Sequence, residues 1–265
     1  MSTNSVDGNL GSKFEEWFEL APALDHGSLE LVHRIRHDVY CQDLGWEPVR
    51  QDGLEIDAYD QHAFHCLLRK RGTGVPVGCT RIILANSADA SEPLPFEVSC
   101  SDVLDRNLVD PARLPRNGIC EVSRLAVMNT FRQRKGETSQ AASISNEDFE
   151  SRASTPRFPF IPVSLYLGAT AIARRLGIEN IFVLTEPRLA SHFSRIGFDL
   201  QVIGGEIEHR GKRVPSVMTT SKIVKNLRPM IQPLYQMIER SVEAAFLEHP
   251  EALQRTPVLD TTRLS

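Results

Sequence analysis

The chain lacks any long apolar run. Its longest, around Ile181 to Leu184, is broken by charge or glycine within a few residues, far short of the roughly 20 residues that a membrane helix needs, so no transmembrane segment is expected. Met1 to Lys13 has no apolar stretch of the kind a secretory signal requires, which makes a cytoplasmic location the expectation. The five cysteines, Cys41, Cys66, Cys79, Cys100 and Cys120, are odd in number and form no CxxC pair; this argues against a disulfide framework or a zinc site. His62, His65 and His192 lack metal-ligand spacing, each reads as a structural histidine, and no metal is expected. No GxGxxG, Walker loop or HExxH is present, so the common nucleotide and zinc-protease chemistries lack their residues. Excess positive charge is missing too: a net charge of −4 offers no global attraction to nucleic acid, and any anion binding has to be local.

What is present is a globular composition, 41% hydrophobic and 24% charged over 265 residues. That is enough for one sizeable core, and no linker divides the chain into halves. Ser28 reads as the cap of a helix whose apolar positions Leu31, Ile35 and Val39 recur at helical spacing, closed by Gly45 just before Trp46. The polar, acidic stretch from Trp46 to Asp60 suits a surface loop. Ala63 to Arg69 and Val77 to Leu84, separated by Gly72-Thr73-Gly74, predict a hairpin, and Gly118 to Val127 predicts a central strand. A sharply basic stretch, Phe131 to Gly136, follows it. From Glu137 to Arg157 large apolar residues almost vanish, which predicts a mobile insertion over about 137–160. Pro162 fits the first turn of a helix stopped by Gly177; Ile181 to Thr185 is a buried strand, Pro187 to Ile196 a short helix, and Leu200 to Ile203 and Val214 to Thr219 are further strands. The tail from Arg228 to Leu253 is amphipathic and helical, compatible with packing on the domain or with a dimer contact. This order implies a mixed α/β sheet rather than a doubly wound one.

Five motifs in order, Arg36 through Val39-Tyr40, Leu44-Gly45-Trp46, Glu55-x-Asp57-x-Tyr59-Asp60, Gly78-x-x-Arg81 and Glu121-x-Ser123-Arg124-Leu125, resemble the motif series of acyl-homoserine-lactone autoinducer synthases. The later part, with its FRQRKGE stretch, polar insertion, Glu186-Pro187-Arg188-Leu189-Ala190 and Arg195-Ile196-Gly197-Phe198, is more similar to acyltransferases associated with PEP-CTERM/exosortase systems and to the related N-acyl amino acid synthases. The resemblance covers roughly residues 25–220. It implies a GNAT-like fold, α/β with a mixed, mostly antiparallel sheet, a splayed central strand pair and helices on both faces. Residues 1–24 are then a flexible lead-in and 221–265 a helical tail. It also implies a thioester donor, acyl carrier protein or acyl-CoA, with no tightly bound cofactor.

Thioester aminolysis needs a neutral amine, and a carboxylate tuned towards neutral pH by partial burial can supply the base. Glu121, inside an apolar strand, is the candidate; its alternative is a buried ion pair with Arg124 or Arg81. The developing oxyanion needs preorganised donors, which the resemblance places at a bulge around Leu125 to Val127, with only the backbone functional. The same strand can pair with pantetheine amides. Arg132, Arg134, Lys135 and the Gly136 amide are candidates for the donor's phosphate or an acidic carrier-protein surface. Gln133-x-x-Gly136 resembles a pyrophosphate loop, but Thr138 stands where glycine or alanine is usual, which favours a carrier protein over coenzyme A. By the same resemblance Arg36, Trp46, Asp57, Asp60 and Arg124 belong to the acceptor site, with Arg81 and Ser123 beside the reacting groups; Trp46 is alternatively a core plug and Ser123 a plain strand serine. His192-Phe193 occupies the position of a family tyrosine that protonates the leaving thiolate, which Phe193 cannot do. Three functional readings follow: an N-acyltransferase making N-acyl amino acids or similar products, an autoinducer synthase using S-adenosylmethionine, and a catalytically silent module that binds an acyl group or its carrier. Oligomeric state is not legible.

Overall fold

A computed structural model describes residues 9–89, 91–132, 159–187, 193 and 196–254. Asn9 caps helix α1 (Leu10–Trp17), which runs directly into strand β1 (Phe18–Pro22). Residues 9–24 are therefore not a flexible lead-in: β1 pairs with the hairpin as the sheet's edge, and Phe14 and Leu20 are buried. With Ala23 and Leu24 these side chains supply the burial that holds the segment. Helix α2 (His26–Arg36) is capped by Asp25, three residues before the expected Ser28, in a reciprocal pair in which Asp25 accepts from the Ser28 N–H and Ser28 Oγ from the Asp25 N–H. It continues as a π-helical segment, His37–Asp43, and leaves through Gly45 at φ +60°.

A 3₁₀ turn (Ala58–His62) leads into the hairpin of β2 (Ala63–Lys70) and β3 (Pro76–Leu84). After the short helix α3 (Pro95–Ser99) come β4 (Ile119–Val127), helix α4 (Phe160–Arg175) and β5 (Asn180–Thr185). The chain closes with β6 (Gln201–Val202), β7 (Ile207–Glu208), β8 (Lys212–Thr219), α5 (Thr220–Asn226), α6 (Gln232–Glu248) and α7 (Glu251–Gln254). Of the expected insertion over 137–160, residues 137–158 lie outside those described and Phe160 already begins α4, with Pro162 in its first turn as predicted.

The sheet order is β1-β2-β3-β4-β5-β8-β6, with β7 paired to β8. Among the described strands only β4 and β5 run parallel. Helices α1, α4 and α6 cover one face and α2 the other. Leu234, Ile238, Val242 and Phe246 of α6 belong to the main core, so the helical tail packs on the domain. Among the described residues no helix is long and apolar enough to cross a membrane, and all five cysteines are buried free thiols.

Two irregularities in β4 shape the middle of the sheet. Cys79 faces Ala126 and Arg81 faces Ser123, so three steps on β4 oppose two on β3: a bulge at Arg124 and Leu125, with Arg124 at φ +51°. Pairing between β4 and β5 ends at Val122 and Val183, although both strands continue. The parallel pair therefore splays open where the bulge lies.

Candidate active site

The splay opens into a cavity of about 380 Å³ whose lining includes Tyr40, Trp46, Asp57, Arg81, Glu121, Ser123, Arg124, Leu125 and Tyr166. Strand alternation accounts for part of this set. Arg81 and Ser123 are direct cross-strand partners, and Glu121 lies two residues from Ser123, so all three share the face turned towards α2. Regular alternation would send Arg124 to the opposite face; the bulge turns it back to meet the same acidic loop.

That loop and three arginines form a lattice. Arg36, with no exposed surface, binds Asp60 in a two-pronged contact at 2.6 and 3.0 Å and also donates to Glu55. Arg81 donates from Nη1 to Asp57 at 2.6 Å and Asp60 at 3.0 Å, and from Nε to Ser123 Oγ at 3.2 Å. Arg124 reaches Glu55 at 3.2 Å, Asp57 at 3.1 Å and Glu47 at 3.3 Å. Asp57 and Asp60 are oriented by the 3₁₀ turn, Asp57 accepting from the Tyr59 N–H and Asp60 from the Asp57 N–H. Burial would raise the Asp60 pKa, but hydrogen bonds and charge from Arg36, with the charge of Arg81, hold it well below the carboxylate range. Glu55 is likewise lowered by Arg36 and Arg124 against its burial. The lattice stays ionised, and each buried charge has a partner.

Glu121 stands apart from it. Its carboxyl is 4% exposed and accepts one hydrogen bond, from the Phe96 N–H at 2.8 Å. Among the described residues no arginine lies within ion-pair distance of it, so the ion-pair alternative does not hold; Arg81 and Arg124 are spent on the acidic loop. Burial pushes its pKa up to about 7, with the Phe96 amide opposing. A carboxyl balanced near neutrality inside a cavity is suited to exchange protons with a ligand.

The bulge is pinned from behind. Tyr40, in the π-helical segment, donates to the Leu125 carbonyl at 2.9 Å, and the Thr80 hydroxyl donates to the Ser123 carbonyl at 3.1 Å. Among the described residues no strand pairs with β4 on its β5 side beyond Val122, so backbone groups there lie open to the cavity. Trp46 stacks on Tyr40 with centroids 5.7 Å apart; it walls one end of the cavity and also packs against the core beneath α2.

Other expected residues fall elsewhere. Arg36 and Asp60 sit behind the cavity and act on it through Arg81, through Asp57 and, by way of Glu55, through Arg124. Val127 is core, paired with Gly78, and does not line the cavity. Arg132 is largely buried and bonded to Asp43, away from the cavity lining, instead of forming a cationic fringe. Arg134, Lys135, Gly136 and His192 lie outside the described residues. Phe193 is fully buried, edge-on to Tyr166 at 4.4 Å. His33, Asp60 and His65 come together, each offering one atom within 4.8 Å of the others, which sequence spacing did not reveal. Both Asp60 oxygens are taken by arginines, so a cation there would face guanidinium groups. Sequence reasoning also missed Glu47, Tyr166 and the β7–β8 residues His209, Arg210 and Arg213, all within or beside the cavity wall. Tyr40 and Glu55 were visible in the motif series; the β7–β8 residues carried no signal.

Residues 35–140 match the family model described as Acetyltransferase (GNAT) domain. An acyl-homoserine-lactone synthase from Vibrio anguillarum is 36% identical over 76 residues, 29% of this chain and 38% of that protein, so the match spans well under half of the curated relative's length. Among solved structures, the CoA-dependent acyl-homoserine lactone synthase MesI superposes with a TM-score of 0.52 at 22% identity, covering 84% of this chain and 95% of MesI. The CoA-dependent synthase BjaI, with SAM and isopentyl-CoA, gives 0.53 at 18% identity over 84% of this chain and 89% of BjaI. The matched segment carries Arg36, the acidic loop, Arg81 and the bulged strand; over these residues the chain is similar to the GNAT acetyltransferase domain, and its fold is GNAT-like, as in the acyl-homoserine-lactone synthases.

Proposed function

We propose that the protein is an N-acyltransferase that moves an acyl group from a carrier thioester to the amine of a small acceptor, an amino acid being the leading class. The observation that carries this reading is Glu121: a carboxyl poised near pH 7, in a cavity beside an unpaired, bulged strand. The thioester carbonyl lies along β4 at the bulge, where an open backbone N–H meets its oxygen. Glu121, directly or through a water, takes a proton from the ammonium form of the acceptor, and the neutral nitrogen then bonds to the carbonyl carbon. The tetrahedral oxyanion collapses, the carbon–sulfur bond breaks, and the nitrogen's surplus proton passes to the departing thiolate, releasing an N-acyl product and a free carrier thiol. Arg81 and Arg124, held by Asp57, present cationic edges on which an acceptor carboxylate can rest. An acyl carrier protein is the favoured donor, with acyl-CoA next.

Thiol release tests this directly. The full chain is assayed with long-chain acyl carrier protein and with acyl-CoA against a panel of amino acids and other amines. Absence of thiol release with every pair overturns the reading. A second reading, an autoinducer synthase using S-adenosylmethionine, is favoured by the 76-residue match to the Vibrio anguillarum enzyme; recovery of a homoserine lactone decides for it.

A further inference from the structure

Arg210 lies in the turn between β7 and β8, far along the chain from the arginine–carboxylate lattice, yet it reaches that lattice's outer wall. Its guanidinium stands 5.7 Å from the centroid of the Trp46 ring and is ion-paired with Glu47. Glu47 also accepts from Arg124, and Arg124 lies 5.6 Å from the centroid of Tyr40, on which Trp46 stacks. Arg210, Trp46, Tyr40 and Arg124 thus form a ladder of two stacked rings with a cation at each end, and Glu47 bridges the two arginines. The ladder closes one end of the cavity.

The backbone adds an independent sign. Arg210 sits at φ +54°, a conformation that glycine adopts freely and a long side chain does not, and Gly211 follows it at φ +95°. The turn has its own fastenings, the Gly211 N–H to Glu208 and Arg213 to the Arg210 carbonyl. The Arg210 side chain serves neither. Its contacts are to Trp46 and Glu47 across the cavity mouth, so a strained arginine at the tip of a two-residue ribbon acts on the cavity rather than on the ribbon.

We propose that Arg210 is the specificity-determining residue of the acceptor end: it clamps the β7–β8 turn against Trp46 and restricts the acceptor to compact amines, excluding those that carry a nucleoside. This rests on the acyl-transfer reading. The cavity of about 380 Å³ is at the small end of the range for ligand sites and has to hold the thioester and the amine together. Arg210 is part of its wall.

The test compares wild type, Arg210→Gly and Arg210→Lys, with one acyl thioester donor and glycine, phenylalanine and S-adenosylmethionine as acceptors, reading thiol release. Arg210→Gly removes the clamp at a position whose backbone favours glycine, so the variant folds, and a thermal melt verifies it. The expected result is a rise of roughly tenfold or more in kcat/KM for the bulky acceptors relative to glycine, the scale on which pocket contacts discriminate substrates. Arg210→Lys falls between, because lysine keeps the charge facing Glu47 but not the planar contact with Trp46. An active wild type whose variants change by one common factor for all three acceptors, or not at all, overturns the clamp alone. A wild type that releases no thiol with any acceptor overturns the acyl-transfer reading, and the clamp with it.

Discussion

Glu121→Gln keeps the shape of the side chain and an oxygen to accept from the Phe96 N–H, while removing its ionisation. In the folded chain the carboxyl has a pKa of about 7, against 4.5 for the ordinary side chain. The folded pKa is the higher one, so the protonated carboxyl favours folding at low pH, and that contribution is lost as pH rises towards and through about 7. The gap between the two values, at about 1.36 kcal/mol per pKa unit, amounts to about 3 kcal/mol by pH 8. Glutamine loses nothing over this range. At roughly 2–4 °C per kcal/mol for a chain of this size, the variant gains on wild type by roughly 6–12 °C in Tm between pH 4.5 and pH 8. The measurement is a series of thermal melts of both proteins across that range, with turnover followed in parallel. Turnover of the wild type rises with pH to a plateau above about 7, as a free base requires, and that of the variant is abolished. A Tm difference that does not change with pH refutes the buried, unpaired carboxyl; a variant that turns over normally refutes its role as base.

Arg36→Met leaves Asp60 and Glu55 as buried charges short of a partner, and destabilisation of about 3–5 kcal/mol is expected by chemical denaturation. Tyr40→Phe keeps the ring stacked on Trp46 but removes the hydrogen bond to the Leu125 carbonyl; a loss of about 1 kcal/mol at the bulge appears as roughly a fivefold fall in kcat with acceptor KM little changed. Gly197 sits at φ +100°, where a Cβ would collide with the Asn226 carbonyl. Gly197→Ala therefore lowers Tm markedly, while Gly72→Ala, strained at φ +79° but in open space, lowers it less.

The chain's order of elements and the residues of its site were legible in the sequence to different depths. Period-two alternation in β3 and β4 and helical spacing in α2 are local, and local patterns set the hairpin, the central strand, and the shared face of Glu121 and Ser123. The ordered motifs likewise singled out Arg36, Asp57, Asp60 and Arg124. The edge strand β1 was missed because a short strand buried by two side chains leaves no periodic signature, and Arg132 was misplaced because a basic run does not announce an acidic partner such as Asp43. Composition could place Glu121 in an apolar strand; it could not say that Arg81 and Arg124 would be drawn to Asp57, leaving desolvation as the largest influence on the carboxyl. The bulge that turns Arg124 back, the parting of β4 from β5 and the approach of Arg210 to Trp46 depend on contacts between segments distant in the chain. Sequence pattern fixes which way a side chain faces within one element, whereas the free energy of a charge depends on everything packed around it, and only the folded arrangement decides that.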